Sequence, residues 1–370
     1  MFLVIAVAIV WRPASAHMRA ASLLARFVDP AGHALLTDLS RHPVDVHDFA
    51  AAGTRARLYL PSDIDHPPGL VLVHGVHYRG IDEPRLERFA SAIAASGVAV
   101  LTPEIRELCD YRIDPASIET IGVSTRVLSE RLGGPREPRE PRVGVMGFSF
   151  AGGLALVTAT DPRYQSDIAF VVAVGSHHDL GRVLRFFASN EAPRPDGTTA
   201  HLAAHPYGPG VLVYSHVEDF FPSTDVEAAR DALRLWLHED FDAARERAKE
   251  LSSDGAAEMK HIFDRDTAAL AGQLNAEIAR LAPGFSAVSP SAHLADIRVP
   301  VFLLHGAGDT VIPPTETEWL ARDTPRPLLR EVLVSRAIEH VELQSGTSIG
   351  DEIALVHFMG DVLQAAEDLR

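Results

Sequence analysis

Residues 142–153 read RVGVMGFSFAGG and leave the chain few ways to fold. Val143, Val145 and Met146 make an apolar run of strand length. Gly152 to Val157 are small or apolar and lead to a helix stop at Asp161-Pro162. A strand that turns through a serine straight into a helix has the geometry of a nucleophile elbow. The turn is tight enough to strain the serine backbone, and the residues two before and two after must be small. Gly147 meets that need, while Ala151 stands where glycine is usual and adds one methyl. On this stretch alone, a Gly-Phe-Ser turn in some other α/β protein is the commoner reading, and the rest of the chain has to decide.

Around it, strand and helix alternate. Val44–Asp48 and Arg55–Leu60 predict two strands joined near Gly53. Gly69–Val73, Val98–Leu101 and Ile168–Val174 are continuously apolar, as strands buried on both faces of a parallel sheet are. Val299–Leu304 and Arg330–Val334 add two more late in the chain. Leu86, Phe89, Ala90 and Ile93 recur at helical spacing before Gly97, and Asp114-Pro115 opens a helix that runs to Leu132. A final amphipathic helix is expected from about Ile353 to Leu369, and Pro135–Pro141 (PREPREP) as a solvated connector. The fold class is therefore α/β, with a mostly parallel, doubly wound sheet.

One long interval breaks the alternation. Ala192–Pro209 reads as loop, and Val211–Tyr214 as an extended segment or a helical turn. Thr224-Asp225-Val226-Glu227 matches a capping box, and helical patterns follow as far as Leu281. The expected division is 1–42 as apolar leader and short helix, 43–175 as the first part of the core, 176–298 as a helical cap insertion, and 299–370 as the second part of the core.

Charge and cysteine count narrow the partners. A net charge of −16 and a pI near 5.5 argue against nucleic acid or an anionic lipid surface. The single cysteine, Cys109, excludes an intrachain disulfide and a cysteine-built metal cage, and reads as a packed side chain near a strand end. Asp45, His47 and Asp48 read as solvated surface, so neither a metal nor a cofactor is expected. Phe2–Val10 is unbroken apolar sequence followed by Ala14-Ser15-Ala16, a signal-peptidase pattern, although no Lys or Arg precedes it. It is too short to span a bilayer. Export, and a cytoplasmic chain with an apolar N-terminal segment, both stay open, and no membrane partner is firm.

Three polar residues fall at predicted strand ends in the order Ser149, Asp309, His340, with about 160 residues between the first two. In a parallel sheet that is where chemistry collects. Four motifs carry them or flank them: HGVH at His74–His77, GFSFAG at Gly147–Gly152, HGAGDTVIPP at His305–Pro314 and EH at Glu339–His340. Together they resemble the α/β-hydrolase superfamily from about Val44 to the C-terminal helix. Ala151 and the lack of an HGGG-type segment depart from its pattern.

The resemblance implies Ser149 as nucleophile, His340 as base and Asp309 as the acid that orients it. It also implies the backbone N–H groups of Phe150 and Val76 as oxyanion donors. Asp179, in His177-His178-Asp179, is an alternative acid because some members place it there. His74 and His305 read as structural and His357 as packed on the last helix. His77, Phe148 and His178 are possible pocket-lining residues, with plain loop or packing roles as the alternative.

The leading expectation is a serine esterase acting on a small-molecule ester with an apolar acyl part. A serine peptidase of the same fold is an alternative and needs cap carboxylates such as Glu218-Asp219 or Glu239-Asp240 to hold a substrate amine. An acyltransferase, or an idle member acting as a binding protein, has the same residues.

Overall fold

A computed structural model describes residues 2–29, 41–51, 53–133, 142–339, 342–343 and 348–369. The connector Pro135–Pro141 and His340 lie outside the described residues. The chain opens its sheet with a hairpin, β1 (Val44–Ala51) and β2 (Thr54–Pro61), turned at Gly53, where φ is 72° and glycine is at ease. Then come β3 (Gly69–Val73), β4 (Ala99–Pro103), β5 (Val143–Phe148) and β6 (Ile168–Val174). A separate small hairpin holds β7 (Glu191–Pro193) and β8 (Thr199–His201), before β9 (Val301–Gly306) and β10 (Leu329–Ser335) return to the sheet.

Among the described residues eight strands form the main sheet in the order β1-β2-β4-β3-β5-β6-β9-β10. Strands β4, β3, β5, β6, β9 and β10 pair in parallel, and the β1–β2 hairpin joins antiparallel at one edge. Every residue of β3, β4 and β6 is buried, which is why these segments are apolar without alternation. β10 at the other edge alternates instead. This is the expected doubly wound sheet, and its strand order is that of the α/β-hydrolase fold.

Helices Ala116–Leu132 and Phe150–Thr158 pack on one face, Pro84–Ala94 and Ile349–Glu367 on the other. The N-terminal segment differs from its expectation. One continuous helix, Phe2–Val28, replaces a short one, and Ala16, Ala20 and Leu23 are fully buried in the core that holds Phe358 and Met359. Gly360 permits the approach, since a Cβ there would lie 2.7 Å from the His17 ring. Among the described residues no helix is long and apolar enough to cross a membrane.

Between β6 and β9 the chain is mainly helical, with long helices Leu180–Ser189, Tyr207–Ser215, Val226–Leu237, Ser253–Phe263 and Thr267–Leu281. Val211–Tyr214 is thus helix, and the expected loop 192–209 contains most of the β7–β8 hairpin. The Thr224 capping box does not form. Asp225 is the N-cap residue and its carboxylate caps nothing in its own helix; it accepts from Ser252 Oγ at 2.5 Å and Ser252 N at 3.2 Å. A tertiary bond outcompetes the local one, and it docks the start of helix Ser253–Phe263.

Helix Ala116–Leu132 carries Gly122, where alanine would gain about 1 kcal/mol in helix propensity. A Cβ there would sit 2.2 Å from the ring of Tyr164, itself buried. We expect Gly122→Ala to destabilise by about 1–3 kcal/mol, read as a lower urea midpoint; a midpoint that rises would show that Tyr164 yields.

Candidate active site

Ser149 sits between the last residue of β5 and helix Phe150–Thr158, with φ 56° and ψ −134°. An L-residue adopts that φ only under constraint. Ser149 N donates to Val174 O at 2.7 Å, which ties the turn to the end of β6. A Cβ on Gly147 would lie 2.5 Å from Ala151 O, so the tight turn needs glycine there. Phe150 opens the helix, so its N–H belongs to a first turn, whose amides have no intrahelical acceptor.

The His74–His77 loop lies alongside. A Cβ on Gly75 would be 3.3 Å from Ser149 Cβ, which places Val76 at the serine. His74 is built into the loop: Nδ1 donates to Gly75 O at 2.7 Å and Nε2 accepts from Ile105 N at 3.0 Å. The next peptide, between Val76 and His77, is held on both sides. His77 N donates to Leu108 O at 3.2 Å, and Val76 O accepts from Tyr207 Oη at 2.9 Å. Two residues before Tyr207, His205 N donates to Thr310 O at 2.8 Å. Residues 205–207 thereby strap the Val76 loop to the loop that follows β9.

Asp309 lies in that second loop, 0% exposed. Its Oδ1 accepts from Val311 N at 2.8 Å and Ile312 N at 3.0 Å, and its Oδ2 lies 3.3 Å from His305 Nε2. His305 is a structural residue: Nδ1 meets Thr317 Oγ1 at 2.6 Å and Nε2 meets Ile312 O at 2.8 Å. Asp179, the alternative acid, is instead the N-cap of helix Leu180–Ser189, accepting from Arg182 N at 2.7 Å.

His178 does not line the pocket. It is 3% exposed, with Nε2 at 2.9 Å from Asp323 Oδ2, Nδ1 accepting from Arg182 at 2.9 Å, and its backbone N donating to Glu316 at 2.8 Å. An ion network reaching across from helix Thr315–Asp323 has taken it up.

Ser149, Gly75, Val76, His77, Phe148 and Phe150 border a cavity of about 970 Å³. Its walls include residues that periodicity could not single out. Leu24 and Phe27 enter from the N-terminal helix, and Phe27, Phe89 and Phe148 form an edge-to-face chain with centroids 5.2 and 5.6 Å apart. From the segment between β6 and β9 come Tyr207, Trp236 and His238, the last stacked on Tyr78 at 3.9 Å. Glu239 and Arg265 also face the cavity, each with positive φ (65° and 61°) just past a helix end. Cys109 lies apart, 3.9 Å from His74 Nε2, its thiol pushed up to about 12 by burial and by the carboxylates around it.

No family model and no curated protein sequence matches the chain. Solved structures do resemble it. They include a 2,6-dihydroxy-pseudo-oxynicotine hydrolase at 16% identity, covering 87% of this chain and 68% of that one, with a TM-score of 0.43. The 2-hydroxy-6-oxo-6-phenylhexa-2,4-dienoate hydrolase of Rhodococcus sp. strain RHA1 gives 16%, 85%, 99% and 0.44. The esterase domain of a Rhodothermus marinus protein gives 14%, 87%, 97% and 0.44. The class rests on the chain's own geometry. The strand order and the strained serine between β5 and its helix define an α/β-hydrolase fold.

Burial lowers His74, His177 and His178 to about 4, because the imidazolium would lose its hydration there. The unfolded chain takes up these protons near pH 6.5 and the folded chain only near 4, so stability falls as pH drops through that window. The slope is at most about 1.4 kcal/mol per pH unit for each histidine. Urea midpoints at pH 7.5, 6 and 5 should decline in that order; a flat profile would mean these rings are not held neutral.

Proposed function

We propose that this chain is a serine hydrolase that cleaves carboxylic esters through an acyl-Ser149 intermediate. One observation carries the reading: Ser149, strained at φ 56° and only 4% exposed, stands at the border of a sizeable cavity beside the Gly75-Val76 backbone. His340, assigned by its place in the sequence order, takes the Ser149 proton as Oγ attacks the ester carbonyl. Asp309 holds the imidazole and balances the imidazolium charge. The N–H groups of Phe150 and Val76 meet the oxyanion. His340 then returns the proton to the departing alcohol, and water, activated by the same base, releases the acid from Ser149.

The Phe27–Phe89–Phe148 side of the cavity suits an apolar acyl part. Residues 176–298 serve as a cap, and Tyr207, Trp236 and His238 are its contribution to the walls. A peptidase reading draws support from Glu239, a carboxylate at the cavity. Glu218 and Asp219, by contrast, are engaged by Arg230 and Arg280.

A fluorophosphonate probe should label the wild type and not Ser149→Ala, and p-nitrophenyl esters should turn over well ahead of aminoacyl-anilides. Labelling that survives in Ser149→Ala sinks the nucleophile assignment; anilides hydrolysed faster than esters move the chain to the peptidases. Tyr207 acts as a positioning residue for the Val76 donor. Loss of a donor costs about 10²–10³ in kcat, so Tyr207→Phe, which only loosens one, should lower kcat about tenfold with KM nearly constant. An unchanged kcat would mean that the Leu108 bond alone fixes the loop.

A further inference from the structure

A second set of polar side chains lies where the N-terminal and C-terminal helices meet. His17 Nε2 is 2.7 Å from His357 Nδ1 and 3.6 Å from Asp361 Oδ1, and His357 Nε2 is 4.0 Å from Asp361 Oδ2. His357 and Asp361 are one turn apart on the same helix face. Each of the three offers a donor atom, and all those atoms lie within 4.8 Å of one another. The sequence predicts a packed His357, yet its side chain is 61% exposed, which leaves the cluster open to solvent ions.

Glu331, on edge strand β10, supplies an independent sign. Its Oε2 is buried without a hydrogen-bond partner. A carboxylate oxygen in that state needs a proton, a water or a cation. Strand β10 packs against the C-terminal helix that carries His357 and Asp361. Among the described residues no arginine or lysine pairs with Asp361 or Glu331. The other grouping of similar composition, His216, Asp219 and Glu277, already holds a cation, because Arg280 lies 2.5 Å from Glu277 and 2.9 Å from Asp219.

We propose that His17, His357 and Asp361 form a divalent transition-metal site of the zinc type that clamps the N-terminal helix to the C-terminal helix. Two imidazoles and one carboxylate, with a fourth position left for water, are a donor set that suits zinc and not magnesium or calcium. Ligand atoms about 2.0–2.1 Å from a tetrahedral zinc stand roughly 3.4 Å apart, so the imidazoles need only part slightly. Sequence spacing could not reveal such a site, because His17 joins His357 and Asp361 only through the fold.

The test uses the full chain, stripped with a chelator and titrated with zinc against a chromogenic competitor. One zinc should bind per chain, with affinity at least tenfold weaker in His17→Ala and Asp361→Asn, and zinc should raise the melting temperature of the wild type but not of a His17→Ala/His357→Ala double variant. Cobalt(II) on the unaltered chain should give the visible bands of a four-coordinate nitrogen–oxygen site with no thiolate charge-transfer band, which keeps the proposal testable if a variant fails to fold. No stoichiometric binding, equal affinity in the variants, or a thiolate band pointing to Cys109 would each overturn it.

Discussion

The structure turns on an atom that is missing. A Cβ on Gly147 would lie 2.5 Å from Ala151 O, and without it β5 can bend directly into a helix with Ser149 at the apex. That bend leaves Ser149 in backbone angles of order 1–3 kcal/mol above the usual minima. Two neighbours hold it there: Val174 O, at the end of β6, accepts its amide, and Gly75 brings the adjacent loop against it. The strain persists because β5 has a parallel partner on each side, β3 and β6, so the turn cannot relax without disturbing the centre of the core.

The sheet was largely legible in the sequence because its central strands are buried on both faces, and short, continuously apolar runs bounded by turn residues suit little except such strands. Ile168–Val174 is a strand over its predicted length, and Gly69–Val73 likewise. Legibility failed where distant groups decide. Asp225 has the right neighbours for a local cap but bonds to Ser252. His178 sits in a polar run beside a strand end, as a pocket residue would, yet Glu316, Arg182 and Asp323 claim it. Strands β7 and β8 are three residues each, too short to show alternation. Ala16, Ala20 and Leu23 face the core at helical spacing, but the adjacent cleavage-like pattern points to processing instead of packing.

Of the candidate site, Ser149, Val76, His77, Phe148 and Phe150 share one cavity, and Asp309 lies in a loop bound to it through His205. The bonds that organise these loops come from a segment far away in sequence. Residues 205–207 touch the Val76 loop with a phenol and the Asp309 loop with an amide. The segment between β6 and β9 is therefore part of the frame of the site as well as its wall, and a substitution in it can alter geometry at Ser149 without contacting anything bound there.

The N-terminal helix has a consequence for how the protein is made. Leu24 and Phe27 supply one side of the cavity, and the helix that carries them packs against residues 349–367. The first of these is synthesised hundreds of residues before the second, so the apolar stripe of the early helix waits without its docking surface while the intervening chain emerges. Closure of that wall is a late event in biogenesis, and of all the cavity's surfaces it depends on the contact of greatest sequence separation.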